Sequence, residues 1–438
     1  MRGARRAAVL TATAALALSG CGGGSGDTDG PYSAGAWPGR HSDARNSNTT
    51  VSEGLDDVTS SWTRATGSAV GSPPTVAPNG QITITSATDA GCNIFSYQMD
   101  NGRKRWCTRL GPGVADISPV ADNVANVYVG EAGGLFSFNE HGQRRWRIPV
   151  SGTPRTAQFA GDGSLVVVTH FGQVNIVDPQ TGMLRAPLFD LVPIPTIADG
   201  TDIPRLDPDH GLAGCFGGSP DCPVATTPAI DQDTGRIFTT VWRSGADRAA
   251  LVALRYPGGD NPVITEEWSN VDLPGGATTS PVLSSDATTA YVHDGEGALW
   301  AVDAETGRPR WSHDLGYTPA TGPAVTEDGL LVVSAGGPSG ALFALRDTGD
   351  GVESAWERDD VRQAGVPALT ANGRGYTVVQ GDGGLTALVF DVADGRTLDE
   401  ETLPETTGFS VGTAVGPDGQ LIATTVRGEI HVLDGPED

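Results

Sequence analysis

The sequence predicts an all-β protein, a single eight-bladed β-propeller made of four-stranded antiparallel blades. Two recurring elements indicate this fold. The first is an apolar strand followed by Asp, a Thr-Gly turn and Trp, most complete at 298–311 (ALWAVDAETGRPRW). The second is a Pro or Thr followed shortly by an apolar strand, as in 280–292 (SPVLSSDATTAYV). Short strands repeated at a fixed period are typical of propellers and solenoids. The 61 glycines and 30 prolines suit many tight turns.

The second element gives the number of blades. It begins eight times, at Pro74, Pro119, Thr156, Pro228, Pro281, Pro323, Pro367 and Thr413. Successive starts are separated by 45, 37, 72, 53, 42, 44 and 46 residues. Because a four-stranded blade needs about 40–50 residues, these spacings predict eight blades with an insertion of roughly 30 residues in the third.

The tryptophans predict how the ring closes. Five full units end in a strand that bears a Trp, namely Trp106, Trp146, Trp268, Trp311 and Trp356. The last unit stops at Asp434-Gly435, before such a strand, whereas Ser61-Trp62-Thr63-Arg64 precedes the first unit. We expect the strand around Trp62 to complete the last blade, so that the propeller spans 61–438 and no seam stays open. Large flat side chains at one repeated position are expected to pack blade against blade rather than to form a ligand cage.

The N-terminus predicts an exported, lipid-anchored protein. Basic residues at 1–6, a short apolar run to Leu18 and small residues before Cys21 describe a secretory signal over 1–20 that is too short to span a membrane. The ending Leu18-Ser19-Gly20-Cys21 resembles the lipobox of bacterial lipoproteins, which implies that Cys21 is lipidated and holds the protein to the cell membrane. A soluble secreted protein with a chance cysteine is the alternative. Residues 21–36 are predicted to be a polar tether, and 37–60 a lead-in to the first blade.

Charge limits the classes of partner. The chain has 28 basic and 53 acidic residues, and loss of the three arginines in 1–20 would leave a net charge of −28. This balance argues against nucleic acids and anionic lipid surfaces as partners, since both need clustered positive charge. Lys104 is the only lysine, which is compatible with the GC-rich coding bias of an actinobacterial source.

The cysteines predict two disulfides. Without Cys21 an even number of cysteines remains, which in an exported protein makes disulfides the default. Three pairings are open, and two local ones are favoured. Cys92 and Cys107 flank a strand–turn–strand unit, and Cys215 and Cys222 close the short loop CFGGSPDC. A metal site is not expected, because no paired CxxC occurs and the seven histidines are scattered over separate repeats.

The first recurring element also resembles a known family. Residues 301–311 resemble the tryptophan-docking motif of the quinoprotein-type, or PQQ-like repeat, β-propellers, and the matching positions are Ala301, Asp303, Thr306, Gly307 and Trp311. Other copies match in part: Ala186 and Asp399 stand where the motif has Trp. The resemblance covers about 61–438, and 37–49 is similar to the segment that leads such chains into their first blade.

The resemblance implies two kinds of function. Quinoprotein dehydrogenases of this family bind PQQ and calcium above the propeller, whereas the lipoprotein subunit of the barrel-assembly machinery is a non-enzymatic scaffold. This chain has no adjacent cysteine pair and little length for a cofactor lid. Asp202, Asp207 and Asp209 fit no calcium-loop pattern. G-x-S-x-G, H-E-x-x-H and P-loop motifs do not occur. We therefore expect neither cofactor nor metal, and the scaffold is the closer kind.

The segment at about 189–223 is the one large departure from the repeat and is predicted to be a partner-binding or axis-capping loop. It is rich in Pro and Gly and contains the candidate contact residues Phe189, Ile194, Ile197, Asp207 and Asp209. Sites on propellers lie in such loops or at the axis. A surface excursion without a partner is an equal alternative.

The sequence therefore predicts a monomeric, extracytoplasmic interaction scaffold that binds another envelope protein. A PQQ-dependent or related oxidoreductase and a glycan- or small-molecule-binding module at the axial opening are the other hypotheses.

Overall fold

The eight-bladed propeller is confirmed. The computed structural model describes residues 31–32, 35–111, 113–193, 212–215, 218–270, 272–319, 321–333, 340–404, 406 and 408–436. Its 32 strands form eight four-stranded sheets, and every strand pair is antiparallel. The first strand of most sheets contacts the first strand of the next, and the ring closes where the last sheet meets the first.

The strands of the first four blades have the following bounds. Blade 1 is β2 (Thr75–Val76), β3 (Gln81–Thr85), β4 (Ile94–Gln98) and β5 (Lys104–Thr108). Blade 2 is β6 (Val120–Ala121), β7 (Val127–Glu131), β8 (Gly134–Phe138) and β9 (Arg144–Pro149). Blade 3 is β10 (Pro154–Phe159), β11 (Leu165–Thr169), β12 (Gln173–Val177) and β13 (Phe189–Asp190). Blade 4 is β14 (Ala229–Asp231), β15 (Arg236–Val241), β16 (Ala250–Arg255) and β17 (Thr265–Asn270).

The second half of the chain repeats the pattern. Blade 5 is β18 (Val282–Leu283), β19 (Thr289–His293), β20 (Ala298–Asp303) and β21 (Pro309–Asp314). Blade 6 is β22 (Ala324–Val325), β23 (Leu330–Val333), β24 (Leu342–Asp347) and β25 (Val352–Arg358). Blade 7 is β26 (Ala368–Leu369), β27 (Arg374–Gly381), β28 (Gly384–Asp391) and β29 (Thr397–Thr402). Blade 8 is β30 (Ser410–Val415), β31 (Leu421–Thr425), β32 (Glu429–Asp434) and β1 (Thr59–Ala65). Short 3-10 helices lie at Val114–Asp116 and Leu212–Gly214.

The predicted closure by the N-terminal strand is also confirmed. β1 pairs with β32 from Thr59–Asp434 to Ala65–Glu429, so that the chain ends share one sheet. The strand begins at Thr59, two residues before the predicted start of the propeller.

The Asp-x-x-Thr-Gly segment makes the turn between the third and fourth strands. In blade 5 the Gly307 N–H donates to the Asp303 carbonyl, and the Thr306 N–H and hydroxyl both donate to the Asp303 carboxylate. Gly307 has a φ of 72°, and a Cβ there would lie 2.6 Å from the Trp268 ring of blade 4. Glycine is therefore required twice, for the left-handed backbone and for the approach of the neighbouring blade's indole.

The two favoured disulfides are confirmed. Cys92 is bonded to Cys107 across the edge of blade 1, and Cys215 is bonded to Cys222 between blades 3 and 4. Within the described residues, no helix is long and apolar enough to span a membrane.

The insertion, predicted at about 189–223, is preceded by a strand at its expected start. Phe189 and Asp190 pair with Val174 and Gln173 and form β13, the fourth strand of blade 3. This strand is short, and Ala186 stands before it where most units carry the Trp of the outer strand. The insertion therefore begins after Asp190 and connects β13 to β14.

Candidate functional site

The lead-in segment lies across the axial opening of the propeller. Between Trp37 and Ser52 its backbone hydrogen-bonds to the inner strands, or the residue just after them, of blades 1, 2, 4, 5, 6 and 7. The partners are Val76, Ala121, Ile230, Leu283, Val325, Leu369 and Ala371. Blade 3 is reached through Gln158, whose side-chain amide donates to Asp43 and Asn46. A segment this short reaches seven inner strands only by lying where those strands converge.

Two polar residues hold this segment in its turn. Asn46, fully buried with a φ of 59°, donates from its side-chain amide to the carbonyls of Thr227 and Pro281 in the approaches to blades 4 and 5. Asp43 accepts hydrogen bonds from the N–H and the hydroxyl of Ser47. Asparagine tolerates the left-handed conformation better than most residues, which explains its place at this point of the chain.

Two largely buried arginines, Arg40 of the lead-in segment and Arg155 of β10, lie close to each other near the axis. Burial, reinforced by the nearby charge of Arg155 and opposed by Asp116, lowers the pKa of Arg40 to about 10, which leaves its guanidinium charged at neutral pH. Burial, together with the Arg40 charge, lowers the pKa of His41 to about 3, so this imidazole is neutral. Arg155 donates to the carbonyls of Cys215 and Ala225, which ties the disulfide loop to the start of β10.

An open cavity of about 640 Å³ lies between the lead-in segment and blades 6 and 7. Seven charged side chains line it, and six of them are paired with one another, while Glu327 has no ion pair among the described residues. Arg346 lies 3.1 Å from Asp328, Arg45 lies 3.2 Å from Asp43, and Arg374 lies 3.7 Å from Asp391. These pairs neutralise the cavity wall, so its shape alone identifies no ligand class.

The predicted partner loop is described only at its two ends. Phe189 is half-buried in β13, and the Cys215–Cys222 loop follows the insertion. Ile194, Ile197, Asp207 and Asp209 lie outside the described residues. Next to Phe189, Met183, Leu184 and Leu188 are 70%, 48% and 49% exposed. This apolar edge of blade 3 was missed by the sequence interpretation, although Ala186 in place of Trp pointed to an incomplete outer strand.

The predicted docking tryptophans lie between blades. Five indole N–H groups donate to a main-chain carbonyl of the following blade: Trp62 to Met99, Trp106 to Glu140, Trp146 to Pro179, Trp268 to Ala304 and Trp356 to Val392. The Trp311 indole instead donates to the Asp347 carboxylate at 3.0 Å. Ala301 is fully buried under Trp311 in its own blade. Cys21 lies outside the described residues.

The residues at the axis do not fit PQQ with calcium. Among the described residues, no three His, Cys, Asp or Glu side chains form a group that could hold a metal ion. Calcium needs six or more oxygen ligands, and here the polar groups at the axis bond to the lead-in segment instead.

The repeat, the closed ring and the docked tryptophans define a PQQ-like repeat β-propeller. A family model described as outer membrane protein assembly factor BamB matches residues 56–189 and 226–430, and the chain belongs to this family.

Similar proteins include Protein Rv3035 of Mycobacterium tuberculosis, 40% identical over 90% of this chain and 95% of the relative. An outer membrane protein assembly factor BamB of Burkholderia pseudomallei is 25% identical over 74% of this chain and 75% of its own length. A quinohemoprotein alcohol dehydrogenase from Comamonas testosteroni has the same fold, with a TM-score of 0.62, 12% identity and coverage of 92% and 82% of the two chains. The fold is therefore shared by both functional kinds.

Proposed function

We propose that this chain is a membrane-anchored extracytoplasmic lipoprotein whose propeller acts as a non-enzymatic scaffold for another envelope protein. The observation that carries the proposal is the occupation of the axial opening by residues 37–52 of the chain itself. The surfaces left for a partner are then blade edges and connecting loops. The names of the family model and of the Burkholderia relative, both assembly factors, support a protein as the partner.

The edge of blade 3 is the surface proposed to bind this partner. β13 pairs with one end of β12, and Leu184 and Arg185 pair with the other end, so the outer strand of this blade is interrupted around Ala186. Met183 and Leu188 are exposed there, and the insertion leaves the blade directly after β13. Exposed apolar side chains beside an interrupted outer strand suit contact with an apolar loop or segment of a partner.

Photocrosslinking in intact cells tests the partner surface. We expect a photoreactive residue at Leu188 to crosslink to one specific protein, because this side chain lies at the proposed contact. The matched control is Phe409, which is 42% exposed just before β30 of blade 8, away from this edge. Deletion of 195–221 with Cys222→Ser is expected to reduce the adduct while thermal unfolding stays cooperative. Equal adducts at Leu188 and Phe409, or a deletion variant that folds and crosslinks normally, would contradict the proposal.

Fractionation tests the anchor separately. If Cys21 carries the lipid, Cys21→Ser should move the protein from the membrane fraction to the soluble extracytoplasmic fraction, since no described helix could hold it in the membrane. Radiolabelled fatty acid should enter the unsubstituted protein alone. Incorporation into the Cys21→Ser variant, or unchanged membrane retention in a high-salt wash, would show that the anchor is not at Cys21.

A further inference from the structure

Blades 1 and 2 differ from the others at one position of the repeat. In blade 5 the Asp303 N–H donates to the Arg308 carbonyl, and the Gly307 N–H donates to the Asp303 carbonyl. Gln98 makes the same two bonds in blade 1, to Arg103 and from Gly102. In blade 2 Asn139 makes them in a turn one residue shorter. A neutral amide therefore replaces the carboxylate in both blades.

This replacement leaves nearby cations without a carboxylate. Asp303 lies 2.8 Å from Arg310, and Asp178 lies 2.6 Å from Arg185 in blade 3. Within the described part of 156–436, ten arginines have a carboxylate oxygen within 4.0 Å. In the described part of blades 8, 1 and 2, six cations have no carboxylate oxygen within 4.0 Å, and we call them the basic sector. They are Arg64, Arg103, Lys104, Arg105, Arg144 and Arg145.

Three of these cations line one recess. Arg64, Arg103 and Lys104 surround an open cavity of about 480 Å³ that also contacts Tyr97 and Asn101. The Arg64 guanidinium is held there by the carbonyls of Gly102 and Asn101, at 3.0 and 3.2 Å. No carboxylate lines the recess. Asp100, the carboxylate nearest in sequence to Arg103, is exposed, and Glu140 of blade 2 bonds to Asn79 of blade 1.

The chain leaves the propeller on the same face. The Asn123 N–H, in the turn after the inner strand of blade 2, donates to the Pro31 carbonyl. In blade 1 the turn after the inner strand contains Asn79 and Gly80. The Met99 N–H donates to the Gly80 carbonyl, and the Asn79 side-chain amide donates to the Glu140 carboxylate. Met99 and Glu140 lie in the turns that lead into the outer strands of blades 1 and 2, where the basic sector begins. Residues that precede Pro31 therefore start from the face that carries the unpaired cations.

We propose that the basic sector binds the anionic phospholipid headgroups of the membrane that holds the lipid anchor. The proposal rests on the proposed function for the anchor alone, since ten residues from Cys21 to Pro31 reach at most about 35 Å and keep this face near the bilayer. Guanidinium and ammonium groups bind phosphate oxygens, and each contributes attraction near an anionic leaflet. The apolar edge of blade 3 stays available for the partner.

The net charge of −25 does not show that the cations of the basic sector are clustered in one part of the ring. Because the Debye length is about 8 Å at physiological ionic strength, a lipid surface senses mainly the charges close to it, and the recess holds three cations and no carboxylate. The argument from total charge against anionic lipid surfaces as partners therefore does not apply to this face.

Vesicle cosedimentation tests the proposal. The full chain with Cys21→Ser is mixed with phosphatidylcholine vesicles with or without phosphatidylglycerol, so the result does not depend on lipidation. We expect binding only to the anionic vesicles, release by high salt, and at least tenfold weaker binding for Arg103→Glu with Lys104→Glu. The matched control is Arg308→Glu with Arg362→Glu, which makes the same charge change at two exposed cations elsewhere and should shift affinity less than twofold.

Two results would overturn it. One is equal binding to both vesicle types, or loss of binding that is the same in the two double variants. The other is tighter, salt-sensitive binding to DNA or polyglutamate than to anionic vesicles, which assigns the sector to a soluble polyanion. Circular dichroism and thermal unfolding establish that both double variants are folded, and Arg144→Glu alone repeats the test on blade 2.

Discussion

At the residue scale, the buried histidines are the least typical side chains of the core. His293, His431 and His41 are 0%, 0% and 4% exposed, and the Nε2 atom of each has no hydrogen-bond partner in the described structure. Burial lowers the pKa of His293 to about 3 from an ordinary value of 6.5. The sequence placed the histidines in scattered repeats without indicating burial, because a strand residue's environment depends on the blade packed against it.

His293 makes stability fall in mild acid. Since its pKa is lower in the folded than in the unfolded state, the unfolded chain binds more protons below pH 6.5 and stability decreases from there toward pH 3. We expect His293 to contribute a loss of about 2 kcal/mol between pH 8 and pH 5.

Denaturant unfolding of the protein and of His293→Gln at both pH values measures this loss. The variant starts from lower stability, but its decrease between the two pH values should be smaller by the stated amount. An identical decrease in both proteins would show that His293 does not titrate on unfolding.

At the element scale, strands and turns were predictable while the axial segment was not. Thr306-Gly307 and its copies specify a turn locally, and regular spacing specifies the blades. Asn46 instead bonds to Pro281, 235 residues away, and no periodic pattern encodes such a contact. The signal that was present is the polar cluster Ser42–Asn48, whose three left-handed residues are Ser42, Asn46 and Asn48. Left-handed asparagines near a chain's start indicate a fixed turn rather than a tether.

The same limit applies to the basic sector. Lys104 and Arg103 are adjacent in sequence, but Arg64 joins them only because β1 closes blade 8 beside blade 1. Total charge therefore gave the opposite expectation for lipid surfaces. The sequence repeat shows that Gln98 and Asn139 stand where other blades have Asp. The consequence for charge follows only from the structure, which shows which arginines the carboxylates neutralise in the other blades.

At the scale of the whole molecule, the closing strand is the seam of the ring. Trp62 is 8% exposed, and its indole N–H donates to the Met99 carbonyl of blade 1. We expect Trp62→Ala to lower the free energy of unfolding by about 3–5 kcal/mol, as for other buried large-to-small changes. Because β1 is an outer strand at a chain end, loosening it should expose 54–70 to proteases.

Trp311→Ala provides the matched control, since Trp311 is equally buried but lies within a continuous blade. Denaturant unfolding and mass mapping of limited proteolysis compare the two variants. Comparable destabilisation with cleavage at 54–70 in Trp62→Ala alone is expected. Cleavage there in both variants would mean that the ring opens elsewhere first.

The lead-in segment also determines when folding can finish. Residues 37–58 leave the ribosome before any blade exists, yet their backbone partners extend to Ala371, and β1 pairs only when β32 has been made. Contacts between such distant parts of a chain are made late and slowly. The lead-in segment therefore gains its last backbone partners only when blade 7 is made, and a product truncated before β32 lacks the strand that pairs with β1.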